Sequence, residues 1–293
     1  MPPDASWKGR RVFADAAMDR LDPDFERPFR DFAIQLIETL KQEDLFDQPI
    51  MRFIDEPALN HAPTRTAIRT LAKFLKSIDP RIRIALTTTS PHPELFSVID
   101  HWVLHTDAWD RGLANITAAR AAGNRISVYN NGIAYVEQER IRIRLWPWLL
   151  KKYKVSGTYS WCGTTNWRKE RADPWNNGIS YFEVLFYPPR HSNEHGPIES
   201  VRWELFRQGL QDYEYLKLTE HLIEKCEAKS TTAATKAATT GRIALDSAMS
   251  LVERWPRVRP TNDRPYTRDV TKLRTARKQL ADAIEAMKQS LGQ

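Results

Sequence analysis

Apolar positions in the first part of the chain switch between the spacing of a helix and the continuous runs of buried strands. From residue 25 to Leu40, apolar side chains recur every three or four positions, which predicts an amphipathic helix. The apolar run 50–54 then predicts a strand, and Pro57 ends it because proline cannot donate to a ladder. A second helical pattern over 67–78 leads to a strand at 82–86. Helix and strand therefore alternate from the start.

The same alternation continues as far as residue 161. Helical patterns cover roughly residues 112–122 and 141–149, and three more apolar runs predict strands. The five predicted strands are 50–54, 82–86, 102–105, 126–129 and 155–161. Strands separated by helices of this length pair in parallel through right-handed crossovers. The pattern is consistent with an open doubly wound sheet or with part of a (β/α)8 barrel.

Polar and aromatic residues gather directly after the predicted strands, which favours the barrel. No glycine-rich phosphate loop follows a strand, so the nucleotide-binding use of an open sheet has no support. A barrel builds its active site from the loops at the carboxyl ends of its strands. The residues at those ends are Asp55, Glu56, Thr87 to Thr89, His105, Asp107, Trp109, Asn130, Asn131, Trp161, Asn166 and Trp167. The predicted fold class is α/β, with a (β/α)8 TIM-type barrel as the favoured architecture.

The C-terminal part of the chain predicts helices. Residues 198–226 form an amphipathic helix, and the Thr/Ala-rich segment 229–241 predicts a loosely held connection. Residues 242–292 predict two helices, broken by Trp255-Pro256 and Pro260. The predicted domains are residues 1–190, which carry the barrel strands and catalysis, and residues 191–293, a helical region that packs on the barrel.

Composition and charge narrow the class of partner. Ten Trp residues suit a cleft that holds sugar, because the C–H face of a pyranose packs on an indole, although core packing accounts for most of them. The net charge is +7, but the basic stretches 140–144 and 151–154 flank an apolar run and predict solvated helix faces. The two cysteines, Cys162 and Cys226, give neither a disulfide framework nor a metal-binding spacing. We therefore expect no cofactor, no metal and no nucleic-acid partner.

The N-terminal residues lack the apolar region of a signal peptide, and no run of about 18 apolar residues occurs. The sequence as written therefore predicts no membrane association and a cytoplasmic protein. A longer native N-terminus would change that expectation, so the location stays open.

Asp55 and Glu56 are the candidate catalytic pair. About one Asp-Glu dipeptide is expected by chance in such a chain, so the interpretation depends on its position between an apolar strand and Pro57. Glycoside cleavage needs one carboxyl group to protonate the leaving oxygen and a second group to stabilise or attack the anomeric carbon. The alternative is a pair of surface acids near the N-terminus of the next helix. Neighbouring side chains of a regular strand point to opposite faces, so a shared site requires a bend or bulge there.

Several motifs downstream resemble one family in their order along the chain. They are the segments 145–153, 157–161, 166–167, 173–175, 185–188 and 196–216, together with Ile54-Asp-Glu-Pro57. This set is similar to glycoside hydrolase family 123 and to the uncharacterised bacterial proteins that share its C-terminal domain. The resemblance covers roughly residues 25–225.

The resemblance implies a retaining, substrate-assisted N-acetyl-β-galactosaminidase. The 2-acetamido oxygen of the substrate would attack the anomeric carbon to form an oxazolinium intermediate. Asp55 would orient the acetamide, and Glu56 would be the general acid and then the base. The residues expected to bind substrate are Tyr129, Asn130, Trp161, Trp167, His105 and Asp107. The segment Asp212–Glu214 is expected to be structural, with Arg202 or Arg207 as its ion partner.

Members of this family are usually longer, with an N-terminal β-sandwich and a complete barrel. Counting Asp55 as the end of the fourth strand, the chain holds about strands 4 to 8, so the barrel is expected to be incomplete. A missing N-terminal segment, a partner chain or a reduced fold would each account for the difference. The alternative function is a non-catalytic carbohydrate-binding or interaction protein derived from a truncated barrel.

Overall fold

A computed structural model describes residues 6–7, 10–46, 51–130, 138–160, 185–189, 195–256 and 265–293. The chain divides into two compact units, Met1–Tyr129 and Asn130–Gln293, which are described in turn. The predicted domain boundary between residues 190 and 191 lies outside the described residues and stays a prediction. Helices, a parallel sheet and C-terminal helices are all present, so the α/β class is confirmed.

The first unit pairs helices with a parallel sheet. Its elements are β1 (Ser6–Trp7), β2 (Arg10–Arg11), α1 (Pro23–Gln42), α2 (Ala62–Ile78), β3 (Ala85–Thr88), β4 (His101–His105), α3 (Trp109–Ala121) and β5 (Arg125–Asn130), with single 3-10 turns at Pro93–Leu95 and Thr106–Ala108. Strands β3, β4 and β5 pair in parallel in sequence order. The predicted strands 102–105 and 126–129 are confirmed with one extra residue at one or both ends.

The strand predicted over 50–54 is much shorter than expected. Met51 makes one parallel bridge with Ile84, in which its N–H donates to Arg83 O and its carbonyl accepts from Ala85 N. Residues 52–54 then leave the ladder. The apolar pattern predicted the right position beside β3, but the residues before Pro57 form a connection rather than a paired strand.

Each strand of the sheet presents two different faces because successive side chains alternate. One face is apolar and lies in the core, at 0–2% exposure. Its residues are Leu86, Trp102, Leu104, Ile126 and Val128. The opposite face carries Ala85, Thr87, His101, Val103, His105, Arg125, Ser127 and Tyr129, and at the carboxyl ends of the strands it presents Thr87, His105 and Tyr129. This second face carries the candidate site.

Helices α1 and α2 are held together at both their middles and their ends. The rings of Phe29 and Phe74 stack with their centroids 5.7 Å apart. At the C-terminus of α2, Asp79 accepts from the Arg81 guanidinium at 2.9 Å and pairs with the Lys41 ammonium of α1 at 2.8 Å. The hydrogen bonds from Arg81, followed by that from Lys41, hold the pKa of the Asp79 carboxyl well below its usual range.

The second unit is mainly helical. Its elements are α4 (Arg140–Lys152), β6 (Thr158–Ser160), β7 (Phe186–Tyr187), β8 (Ile198–Glu199), α5 (Val201–Lys229), α6 (Thr232–Met249) and α7 (Val270–Leu291). The loosely held connection predicted at 229–241 is wrong, because α6 begins at Thr232. Thr231 caps this helix by accepting from Ala234 N, and alanine is the best helix former, so the composition supports a helix once the cap is present.

A buried carboxylate joins three helices of this unit. Asp212 on α5 is 2% exposed and accepts from Arg144 of α4 at 3.0 Å and from Arg277 of α7 at 2.8 Å. The structural role predicted for Asp212 is consistent with these contacts, but the predicted ion partners are wrong. Arg207 pairs with Glu204 one turn away, and the Arg202 guanidinium donates to the Tyr187 hydroxyl.

Candidate active site

A single threonine hydroxyl connects the two candidate catalytic residues. Thr87, on β3, donates from its Oγ1 to Oδ1 of Asp55 at 2.6 Å. The same oxygen accepts from the backbone N–H of Glu56 at 3.2 Å. Thr87 is 4% exposed, whereas Asp55 and Glu56 are both exposed to solvent. A buried side chain therefore anchors a carboxylate pair that remains accessible.

The backbone at Glu56 resolves the geometric difficulty of two neighbouring acids in one site. Glu56 has φ of 42°, in the left-handed region that a side chain with a Cβ adopts at a cost of about 1–2 kcal/mol. This turn replaces the regular strand alternation, so that Asp55 and Glu56 both make contacts with residues on one face of the sheet. Left-handed residues of this kind concentrate at functional sites, where surrounding contacts hold them in place.

Tyr129 is the second anchor. Its phenol donates a hydrogen bond to Oε1 of Glu56. Burial raises the pKa of Tyr129 far above its ordinary value, and the hydrogen bond to Glu56 and the charges of Glu56 and Asp55 raise it further. The phenol therefore stays protonated and acts as a donor to the carboxylate.

His105 lies against Tyr129 on the same face. The two residues pair across β4 and β5, and their rings meet edge to face with centroids 5.0 Å apart. The Nδ1 atom of His105 accepts from the backbone N–H of Asp107 at 3.3 Å, which fixes the start of the 3-10 turn after β4. His105 thus borders the site through Tyr129, while Asp107 belongs to the adjoining turn.

Each carboxylate has one anchored oxygen and one that is open among the described residues. Asp55 accepts from Thr87 and, at 3.3 Å, from the exposed Arg52 guanidinium, and both bonds go to Oδ1. Glu56 accepts from Tyr129 through Oε1. Within the described part of the chain, Oδ2 of Asp55 and Oε2 of Glu56 are therefore the atoms left to meet a substrate.

Farther from the carboxyl ends, the same face holds a neutral histidine. His101 is buried, and its Nε2 lies 2.6 Å from the Ser127 hydroxyl. Burial, followed by the charges of Arg125 and Arg83, lowers the pKa of His101. The imidazole therefore adds no positive charge to the region beneath the carboxylates near neutral pH.

The contacts described above do not involve the remaining predicted site residues. Asn130 ends β5, and only its backbone is described. Trp161 and Trp167 lie outside the described residues and stay predictions. Thr87 was grouped with the polar strand ends but was not predicted as a site residue. Its position at the carboxyl end of β3 was the sequence feature that could have identified it. The pattern of apolar and polar residues did not indicate that its hydroxyl bonds to Asp55.

The described residues contain no group of three or more His, Cys, Asp or Glu side chains arranged to hold a metal ion. In the same part of the chain, none of the helices has the length and apolar character needed to cross a membrane.

Two adjacent carboxylates beside the end of a parallel strand, one of them bonded by a phenol, form an arrangement suited to acid–base chemistry at a glycosidic bond. That chemistry defines the class of glycoside hydrolases. The family model described as glycoside hydrolase 123, catalytic domain, matches residues 6–219. The chain therefore belongs to glycoside hydrolase family 123.

Several solved structures match the chain, and one of them shares the fold at low sequence identity. It is a family 123 glycoside hydrolase from Clostridium perfringens, whose structural analysis concerns glycolipid glycan hydrolysis. The match has a TM-score of 0.57 at 11% identity and covers 92% of this chain. The chain corresponds to 45% of that protein, less than half its length. No curated protein sequence matches the chain.

Proposed function

We propose that this chain hydrolyses terminal N-acetyl-β-galactosaminides or related 2-acetamido-2-deoxy-β-glycosides, with retention of configuration and with the acetamide as nucleophile. The observation that carries the proposal is the convergence of Asp55 and Glu56 on the Thr87–Tyr129 face. The sheet beneath them would be part of a (β/α)8 barrel, whose active site lies at the carboxyl ends of the strands.

In the first step, Glu56 acts as the general acid. With Oε1 bonded to Tyr129, the acidic proton is carried on Oε2 and passes to the glycosidic oxygen as the bond to the anomeric carbon breaks. The acetamide oxygen of the substrate attacks the anomeric carbon from the other side, and an oxazolinium ion forms. The aglycone leaves with the proton that Glu56 supplied.

Asp55 acts on the acetamide during the same step. Its open Oδ2 accepts from the acetamide N–H, which orients the carbonyl oxygen toward the anomeric carbon. Its negative charge stabilises the positive charge that develops on the oxazolinium ring. In the second step, the Glu56 carboxylate takes a proton from water as the water oxygen attacks the anomeric carbon. The bond from that carbon to the acetamide oxygen breaks, which restores the acetamide and gives the β-hemiacetal product.

Membership of the family supports the glycosidase class, while the sugar and the mechanism are proposals. The test compares a chromogenic N-acetyl-β-galactosaminide with the matching β-galactoside. The wild-type protein is measured beside Glu56→Gln and beside Glu38→Gln, an exposed Glu on α1 outside the site. We expect turnover of the acetamido sugar alone, a loss of about 100-fold or more in Glu56→Gln, and no loss in Glu38→Gln.

Two results would contradict different parts of the proposal. Equal turnover of both sugars would overturn substrate assistance, because the galactoside has no acetamide nucleophile. No turnover of either sugar by folded protein, combined with saturable binding of N-acetylgalactosamine, would favour the non-catalytic carbohydrate-binding alternative.

A further inference from the structure

We infer that Thr87 is the positioning residue of the carboxylate pair: its hydroxyl fixes the left-handed turn at Glu56 and reserves Oδ2 of Asp55 for the substrate. This inference deepens the proposed function and rests on it for its effect on catalysis. Thr87 touches neither the acetamide nor the glycosidic bond in that scheme, and it acts through Asp55 and Glu56.

The two hydrogen bonds of Thr87 run in one direction. The Glu56 N–H donates to Thr87 Oγ1 at 3.2 Å, and that hydroxyl donates its only hydrogen to Asp55 Oδ1 at 2.6 Å. Chains of hydrogen bonds strengthen one another, and the bond that ends on a carboxylate is the stronger kind. The single hydrogen of the Thr87 hydroxyl is directed at Oδ1, so the Asp55 carboxylate is held through that oxygen.

This link has its largest effect where the backbone is strained. Glu56 sits at φ of 42°, a conformation that a non-glycine residue leaves unless contacts hold it. Apart from the Tyr129 bond to its side chain, the described contact on Glu56 is the bond from its backbone N–H to Thr87. Loss of the hydroxyl therefore frees the turn and the Asp55 carboxylate together.

The anchored oxygen also determines which oxygen is available. Thr87 and Arg52 both donate to Oδ1, so the acetamide N–H meets Oδ2. Without Thr87, the carboxylate is freer to rotate about its Cβ–Cγ bond, so an oxygen is aligned with the acetamide N–H in fewer of the bound substrates. Alignment affects the rate of the chemical step more than the affinity for the substrate.

The test uses two substitutions at one position and a neighbouring control. Thr87→Val removes the hydroxyl at nearly constant volume, and Thr87→Ser keeps it. Thr88→Val removes a hydroxyl that is equally buried but points to the other face, where it bonds to Ser90. Values of kcat and KM are measured on the chromogenic N-acetyl-β-galactosaminide, and crystal structures of the wild-type protein and Thr87→Val are compared.

We expect kcat of Thr87→Val to fall by about 10- to 100-fold with KM changed by less than about threefold. Thr87→Ser should regain most of that loss, and Thr88→Val should retain the wild-type kcat. In the Thr87→Val crystal structure, Glu56 should leave the left-handed region or Asp55 should rotate. Unchanged kcat in Thr87→Val, or an equal loss in Thr88→Val, would overturn the inference.

The crystal structures separate this inference from the proposed function. If the wild-type protein turns over no substrate, the proposed function fails and kinetics decide nothing about Thr87. The crystal structures then decide. A Thr87→Val protein that keeps both the Glu56 turn and the Asp55 orientation would contradict the positioning role, and one that loses either would support it.

Discussion

The phenol of Tyr129 donates a hydrogen bond to Oε1 of Glu56, a residue 73 positions earlier in the chain. The contact joins the end of β5 to the turn after the Met51 bridge, across the two intervening strands of the sheet. It fixes which oxygen of Glu56 is held and which is open.

Removal of the Tyr129 hydroxyl should impair catalysis more than binding. In Tyr129→Phe, Glu56 loses the donor to Oε1. We expect kcat to fall by about tenfold or more, because this bond strengthens as Glu56 gives up its proton and becomes a charged carboxylate. Tyr213→Phe, the same change on α5 of the second unit, serves as the control. Steady-state kinetics on the N-acetyl-β-galactosaminide check the prediction, and an unchanged kcat in Tyr129→Phe would contradict it.

The raised pKa of Tyr129 predicts that its phenol keeps its proton, and remains a hydrogen-bond donor, at alkaline pH. Its folded pKa lies above its ordinary value of 10.0, so the neutral phenol persists in the folded state while the unfolded chain ionises. The stabilisation it gives is complete below about pH 10 and is lost as the pH rises further. Ultraviolet titration of wild type and Tyr129→Phe should show equal phenolate absorbance up to about pH 10. A wild-type excess below that pH would contradict this assignment.

Asp79 should contribute fully to stability above its unfolded pKa and lose that contribution gradually as the pH falls from there toward its lower folded pKa. The folded pKa is depressed from 3.8, so the contribution is present at neutral pH and fades as the pH falls through and below about 4. We expect Asp79→Asn to lower the free energy of unfolding by about 1–3 kcal/mol at pH 7. Urea denaturation should show a smaller difference near pH 3.

The exposed pair of Asp15 and Arg20 provides the control for that experiment. Their side chains are 42% and 71% exposed, so Asp15→Asn should change stability by less than about 1 kcal/mol. An Asp79→Asn effect that is equal at both pH values, or no larger than that of Asp15→Asn, would show that the charge of Asp79 has no special role.

Gly209 should not tolerate a larger side chain. A Cβ at this position would lie 2.4 Å from the carbonyl oxygen of Arg144, which belongs to α4. The clash forces α4 and α5 apart, and we expect Gly209→Ala to cost about 1–3 kcal/mol despite the better helix propensity of alanine. Gln211→Ala, at an exposed position on the same helix, should be neutral in thermal unfolding. A gain in stability for Gly209→Ala would contradict the close approach.

The sequence predicted the elements whose apolar patterns are strong and left the long-range contacts undetermined. Strand β4 was predictable because its buried residues form one continuous run. The first part of helix α6, up to residue 241, was missed because its many Thr residues obscured an Ala face with helical spacing. The ion partner of Asp212 was missed because Arg277 lies 65 residues away, and nothing in the local sequence distinguishes it from nearer arginines.

In the candidate site, too, the residues were predictable from the sequence and their arrangement was not. Asp55 and Glu56 were predictable as a pair at a strand end, since composition and position mark such residues. The turn that directs both toward one face was not, because it depends on the left-handed φ of Glu56 and on a hydroxyl from another strand. Backbone strain of this kind is held by tertiary contacts and leaves no local signature in a side-chain pattern.

The most direct test of the central claim, that Asp55 and Glu56 form a retaining site, is the anomeric form of the first product. Proton NMR spectra are recorded at short intervals while the wild-type protein hydrolyses an N-acetyl-β-galactosaminide, before mutarotation mixes the anomers. We expect the β-hemiacetal to appear first and the α anomer to grow in later. Initial release of the α anomer would contradict this expectation, because that product requires direct attack by water with inversion.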